Sequence, residues 1–380
     1  MKQMKKFFVH FCAVLICFQV CFGIAAPSFA NAAVPSVSAK SAVLAEGDTG
    51  KIVWSKNGDA VMPMASTTKI LTALVAIENA PDLSKEVKID SAACGIEGSS
   101  IYLKEGEKLT LEQLLYALLL ESANDCACAI AIEIAGSEEK FAEMMNTTAE
   151  KIGMTGSHFT NPHGLDDEEH YTTAEDMAKL AVHALKNETF AKIVSTYKTT
   201  IPMNGDEGTR LLLNHNKLLK YYDGAIGVKT GFTKRSGRCL VSAAERDGVR
   251  LIAVTLSAPD DWNDHKAMLD YGFSCFRHIT LAEAGSVTHT VPVVGGESDC
   301  VILSNRDTVE ITAPSDTPDP VCRIECPRFL YAPVKEGDVC GYACYYSGDK
   351  LISRIPLYAT SGVSYKEKTS LWKRILELYK

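Results

Sequence analysis

The segment Met64-Ala65-Ser66-Thr67-Thr68-Lys69-Ile70-Leu71-Thr72-Ala73 decides how this chain is read. It opens an apolar run from Met64 to Glu78, broken only by small and hydroxyl residues and one lysine, so a helix buried over most of its surface is expected there. The i, i+3 spacing puts the Ser66 oxygen and the Lys69 nitrogen on one helix face. An amine so placed can take the serine's proton if it is neutral part of the time, and desolvation with cationic neighbours lowers a lysine pKa enough for that. A helix-terminal serine beside a lysine that runs out to solvent would give the same spacing. The pattern indeed recurs at Ser137/Lys140, Ser195/Lys198, Ser347/Lys350 and Ser370/Lys373, but only Ser66 heads a helix apolar enough to be buried.

Two further motifs stand downstream. Thr110 and Gln113 form an expected capping box opening an apolar helix through Glu121, and a second helix runs from Asp125 to Ala135 before Gly136. Ser122-Ala123-Asn124 fills the break between them, where a hydroxyl and a carboxamide can project into a cleft. A helix cap would use the same residues, and Ser55-Lys56-Asn57 repeats the pattern elsewhere. Lys229-Thr230-Gly231 occurs once, on a strand expected over Gly227 to Phe232, where glycine lets a ligand backbone lie along the strand edge. A sheet-edge lysine beside a turn is the plainer alternative.

Around these motifs the chain reads as a hairpin (Ser41 to Glu46, Lys51 to Lys56), then helices including Glu138 to Ile152 and Thr173 to Lys186. Strands follow at Cys239 to Glu245 and Val249 to Leu256, turned at Arg246-Asp247-Gly248. Strand, helices, strands is the order of an α+β layer fold. From about Gly285 to Ser361 the pattern changes to short alternating segments with turns such as Gly295-Gly296, which implies a small all-β domain.

Composition sets limits. With 46% hydrophobic and 23% charged residues over 380 positions, two globular domains are expected. The formal charge of −8 argues against a nucleic-acid binder. Lys2, Lys5 and Lys6 precede an apolar stretch from Phe7 to about Ala26 and a small-x-small site at Ala30-Asn31-Ala32, the pattern of an export signal. An uncleaved anchor is the alternative. Removal of residues 1–32 would shift the charge to −11 and leave ten of the 13 cysteines. At the other end Thr369 to Lys380 has Leu371, Trp372, Ile375, Leu376 and Tyr379 on one helical face, and Lys366 to Lys380 carries net charge +3. That pattern describes an interfacial anchor on an anionic membrane surface.

Taken together, the serine/lysine, serine/asparagine and lysine/threonine/glycine motifs, in that order, are the set found in penicillin-binding proteins and class A β-lactamases. The sequence resembles the D-alanyl-D-alanine carboxypeptidases among the low-molecular-weight penicillin-binding proteins, serine peptidase family S11. The resemblance extends to Asn161-Pro162-His163-Gly164-Leu165-Asp166, to Tyr171-Thr172-Thr173-Ala174 and to Asn214 through Leu240. It continues into the β-rich region at Ala332-Pro333-Val334 and Gly337-Asp338.

The resemblance implies a transpeptidase-like fold, an antiparallel sheet flanked by helices, with a signal peptide over 1–32 and a catalytic domain over 33–284. A C-terminal β-rich domain over 285–362 and an amphipathic membrane-anchoring helix over 363–380 complete the expected organisation. It implies Ser66 as nucleophile attacking a peptidoglycan stem peptide ending in D-Ala-D-Ala, and Lys69 as the acceptor of its proton. Ser122, held by Lys69 and Asn124, relays a proton to the departing amine. Lys229 and Thr230 bind the terminal carboxylate, and the backbone N–H groups of Ser66 and Phe232, beside Gly231, form the oxyanion hole. β-Lactam antibiotics are expected to acylate Ser66. No metal or cofactor is expected.

Several features admit a different chemistry. His158, His163 and His170 with Asp166 and Asp167 could hold a metal, as could Cys322/Cys326 with Cys340/Cys344; packed thiols with one or two disulfides are the other reading of those four. Nothing in the sequence puts a histidine beside Cys126 or Cys128, which are read as helix packing. Arg210 is a further candidate for the substrate carboxylate. A β-lactamase would need a second base in a glutamate-x-x-leucine-asparagine loop, which is absent. A D,D-endopeptidase acting on cross-links would use the same three motifs. A non-catalytic wall-binding protein would not need them, and all three are intact.

Overall fold

The computed structural model describes residues 33–203 and 208–367; the leader expected over 1–32 and the helix expected over Thr369–Lys380 lie outside them. No helix among the described residues is long and apolar enough to cross a membrane.

The chain starts with β1 (Ser41–Glu46) and β2 (Ile52–Lys56), and a 3₁₀ turn over Ala65–Thr68 leads into α1 (Lys69–Asn79). A short hairpin, β3 (Glu86–Lys88) and β4 (Lys108–Thr110), precedes α2 (Leu111–Leu120), α3 (Asn124–Ala135), α4 (Glu138–Ile152), α5 (Ala174–Ala184) and α6 (Glu188–Ser195). After the hairpin β5 (Lys198–Pro202) and β6 (Thr209–Leu213) comes one helical turn, α7 (Leu218–Tyr221). Three long strands, β7 (Ala225–Thr233), β8 (Gly237–Arg246) and β9 (Val249–Leu256), then lead into α8 (Asp261–Cys275). The sheet order is β2-β1-β9-β8-β7, antiparallel throughout.

The central strands are covered on both faces, which is why β1 and β9 read as continuous apolar runs. Val43, Ala45, Ile252 and Val254 pack into one core with α1 to α6, while Ala42, Leu44, Leu251 and Ala253 join Met268 and Leu269 of α8 in another. Helix α1 is buried from Lys69 to Ala76, as expected of a helix apolar all round. The Thr110/Gln113 capping box is present, with bonds of 3.2 and 2.8 Å.

The segment read as one helix from Met64 is instead a 3₁₀ turn followed by an α-helix. Ala65 has φ +49°, and the Thr67 and Thr68 hydroxyls donate to the Met64 and Ala65 carbonyls at 2.7 and 2.8 Å, drawing the turn into the tighter i, i+3 form.

The rest of the described chain is all β. β10 (Phe276–Ala282) pairs with β13 (Val309–Pro314), so strand pairing of this region starts before Ala284. β11 (Thr288–Val294), β12 (Cys300–Ser304), β14 (Val321–Glu325), β15 (Leu330–Tyr331), β16 (Val339–Ser347) and β17 (Lys350–Ala359) form a six-stranded sheet in the order β14-β16-β17-β12-β11-β15. Within the expected tail helix 363–380, the described residues Val363–Glu367 are extended. Val363, which is buried, bridges to Val334 and joins the β core, while the exposed Tyr365 bridges to Gly296.

The zinc reading of the four late cysteines fails on register. Cys322 lies opposite Tyr345 and Cys344 opposite Arg323, so the two thiols point to opposite faces. All ten described cysteines are free thiols, which leaves the late four unlinked.

Candidate active site

Each motif arrives on a different element. The 3₁₀ turn carries Ser66, half-buried, and the first turn of α1 carries Lys69, wholly buried. The N-terminus of α3 carries Asn124, and the α2–α3 break carries Ser122 at φ +61°. β7 contributes Lys229, Thr230, Gly231 and Phe232.

Lys69 is the centre of the arrangement. Its Nζ donates to Ser66 Oγ at 2.9 Å, to Asn124 Oδ1 at 2.7 Å and to the His163 carbonyl at 2.5 Å. Burial pushes its pKa well below the ordinary lysine value, and the positive charge of Lys229 pushes the same way. Asn124 is fixed in turn: its Nδ2 donates to the Glu97 carbonyl at 2.5 Å, and its N–H to the Ser99 carbonyl at 2.7 Å. Lys229 is also buried, which lowers its pKa to about 7 against an opposing pull from Glu121; its Nζ donates to the Thr230 carbonyl at 2.9 Å.

Backbone placement around Ser66 is constrained from two sides. A Cβ on Gly231 would lie 3.1 Å from the Ser66 and Thr67 nitrogens, so β7 runs hard against the turn and only glycine fits without a shift. A Cβ on Gly164 would lie 2.1 Å from the Ala65 carbonyl. The 161–164 loop therefore closes on the strained residue that precedes Ser66. His170 braces the same turn. Its Nδ1 accepts from the Thr160 N–H at 3.1 Å, which leaves Nε2 to donate to Thr68 Oγ1 at 2.8 Å, and burial lowers its pKa to about 4, keeping the ring neutral.

Ser66, Ser122, Thr230, Gly231 and Phe232 line one cleft of about 270 Å³. The Ser122 hydroxyl makes no hydrogen bond to Lys69 or Asn124 among the described residues. Ser99, His215, Arg238, Asp261 and Trp262 complete the lining, and none of these five was assigned a site role from the sequence. His215 pairs with Glu121 at 3.3 Å and Arg238 with Asp261 at 2.7 Å. His215 and Arg238 fall within the stretch that carries the family resemblance, which is the one signal that could have found them; the Ser99, Glu97 and His163 carbonyls leave no side-chain signal at all.

Two side-chain readings change. Arg210 is not a cleft residue: its guanidinium pairs with both oxygens of the buried Glu107 carboxylate, at 3.0 Å on one of them, and donates to the Ile101 carbonyl at 3.1 Å. Cys128 does have a histidine beside it. The 161–164 loop brings His163 to within 4.8 Å of the Cys128 sulfur and the Glu138 carboxylate, a contact across 35 residues of chain that spacing cannot register. His158, His170, Asp166 and Asp167 join no such cluster among the described residues.

A serine held by a desolvated lysine at a strained turn, beside a strand edge with a buried cation, defines the class of serine hydrolases that act by acyl transfer. Residues 28–260 match the family described as D-alanyl-D-alanine carboxypeptidase, and residues 276–365 match the C-terminal domain of penicillin-binding protein 5. The D-alanyl-D-alanine carboxypeptidase DacF of Bacillus subtilis (strain 168) is 34% identical over 330 residues, 84% of this chain and 85% of that one. Among solved structures, penicillin-binding protein 5 of Haemophilus influenzae is similar at TM-score 0.66 and 28% identity, over 87% of this chain and 99% of that one. The peptidoglycan synthesis regulatory factor PBP3 of Streptococcus pneumoniae is similar at TM-score 0.71 and 26% identity, over 87% and 100%. The chain belongs to the D-alanyl-D-alanine carboxypeptidase family of serine peptidases.

Proposed function

We propose that the protein removes the terminal D-alanine from peptidoglycan stem peptides through an acyl-enzyme on Ser66, in cell-wall maturation. The observation that carries this is the contact between Lys69 Nζ and Ser66 Oγ, made by an amine whose proton affinity burial has lowered. Lys69 takes the Ser66 proton as Oγ attacks the carbonyl between the two D-alanines, and the Ser66 and Phe232 N–H groups stabilise the developing oxyanion. Ser122 passes a proton to the departing D-alanine nitrogen. Lys229 and Thr230 hold the free carboxylate, and the burial of Lys229 supports a terminal residue over an internal cross-link, because a buried amine whose charged form is held down to a pKa of about 7 gains most from a ligand that brings a full negative charge. Water then releases the shortened peptide, and β-lactams acylate Ser66 as substrate mimics.

The organisation that accompanies this reading is a signal over 1–32, a catalytic domain from 33 to about 275 and a β-rich domain from Phe276, where β10 pairs with β13, through Val363. The protein acts on the outer face of the cytoplasmic membrane, held to an anionic surface by the basic tail. Support for export is the charge and apolar pattern of residues 2–32, and for the anchor the +3 tail on an acidic body. Deleting Thr369–Lys380 releases the protein from membrane fractions with hydrolysis intact; unchanged association contradicts the anchor.

The test of activity is D-alanine release from a peptide ending in D-Ala-D-Ala, with Ser66→Ala as control. Release by the parent and none by the variant is expected. No release by the intact protein overturns the proposal.

A further inference from the structure

Cys128 on α3, Glu138 at the head of α4 and His163 on the 161–164 loop converge behind the site. One ligand atom from each lies within 4.8 Å of the other two. The His163 Nε2 to Glu138 Oε2 separation is 3.3 Å. Two ligands bound at about 2.0 Å to a tetrahedral ion stand roughly 3.3 Å apart, so imidazole and carboxylate already hold the separation such an ion requires. The third donor is a sulfur, wholly buried, on a rigid helix. Glu138 and His163 side chains are 31% and 11% exposed, which leaves an entry path from the surface on the carboxylate side. Thiolate, imidazole and carboxylate together suit a borderline dication over calcium or magnesium, which prefer all-oxygen sites.

We propose that Cys128, Glu138 and His163 form a binding site for a divalent cation of the zinc class, with water as the fourth ligand, and that its occupancy is felt at the catalytic lysine. The link is His163, whose ring faces the cluster while its carbonyl accepts from Lys69 Nζ at 2.5 Å. Binding breaks the Cys128 S–H bond, forms a sulfur–metal bond and releases that proton to solvent; the His163 ring, whose Nδ1 accepts from the Leu165 N–H at 3.2 Å, moves its own proton from Nε2 to Nδ1 and gives up the Leu165 bond as Nε2 ligates, with no redox change. Drawing the His163 ring toward the sulfur shifts the carbonyl that holds Lys69, so the loaded protein is acylated more slowly. The effect on acylation rests on the function proposed above; metal binding does not.

The experiment uses the reduced, mature full-length protein titrated with Co²⁺, followed by Zn²⁺ competition. The expected result is one equivalent bound with a sulfur-to-cobalt charge-transfer band that Zn²⁺ abolishes. Cys128→Ala loses the band while retaining the exposed Cys300 and Cys322 thiols, and Glu138→Gln binds roughly tenfold or more weakly. Zn²⁺ slows labelled-penicillin acylation of the parent severalfold and leaves Cys128→Ala unaffected. Absence of the band at one equivalent, or equal binding by parent and Cys128→Ala, overturns the site; Glu138→Gln carries the same test if Cys128→Ala does not fold. A band without slowing overturns the link to Lys69. Complete failure to react with penicillin counts against the proposed function and leaves the cobalt band standing.

Discussion

The two halves of the described chain spend their interiors differently. Up to α8 the buried set includes Lys69, Lys229, Asn124, Asp125, His170 and His265, whereas beyond residue 276 Asn305 is the one buried amide or charged side chain among the described residues. Burying an amine is costly, and a fold retains two only where a partner or a reaction uses them. The β-rich region closes on apolar side chains such as Val291, Leu303, Ala343 and Leu357. The chemistry therefore sits in the region that buries charged and amide side chains, and the other region closes on apolar packing.

Removing the lysine that touches Ser66 should have the largest effect. Lys69→Met is expected to slow penicillin acylation by about a thousandfold, the range of a general base, while the protein stays folded; stopped-flow labelling measures it, and a loss under tenfold would put the base elsewhere.

Lys229→Met comes next and separates function from stability. D-alanine release should fall by about a hundredfold through the lost charge-assisted contact. The fold should gain on the order of a few kcal/mol near neutral pH, because a buried ammonium is removed. The sign follows from the lowered pKa. The unfolded chain keeps the Lys229 proton to about 10.4, while the folded chain gives it up near 7. Stability of the parent therefore rises with pH across that interval and is least below it, and the variant shows a shallower rise in denaturant midpoint. Substrate capture runs the other way: kcat/KM on a carboxylate-ended peptide declines as pH passes about 7 and the free protein loses the Lys229 charge.

The smallest effect on chemistry is expected from the β-rich half. Leu303→Ala should cost about 2–5 kcal/mol in stability by leaving a cavity, with kcat unchanged below the melting transition. A matching fall in kcat would mean that the halves are coupled in catalysis.

How much of this was legible depended on whether a feature is carried by side chains in a repeating pattern. The buried helix after Lys69, the capping box at Thr110 and the long strands β8 and β9 announce themselves through apolar runs and turn residues. α8 does not. Its buried face includes Asp261, Asp264 and His265, with His265 bonded to Ser242 at 2.5 Å and Thr255 at 2.9 Å, so its inward surface looks polar in sequence. In the site, every residue named from the three motifs meets in the cleft or just beneath it. The contacts that position them, the His163 carbonyl on Lys69, the Glu97 carbonyl on Asn124 and the Gly231 backbone against Ser66, are made by main-chain atoms. A carbonyl oxygen is carried by every residue, so its tertiary use leaves no trace in composition or spacing; only the Gly231 contact is marked, by the glycine itself.

The proposed chemistry stands or falls on Ser66 as the carrier of the acyl group. Intact-mass and peptide mass spectrometry of the protein after brief exposure to a penicillin reads this out. A single adduct of the antibiotic's mass is expected on the peptide containing Ser66, and none on Ser66→Ala. An adduct on another residue, or one that forms equally on Ser66→Ala, would contradict it.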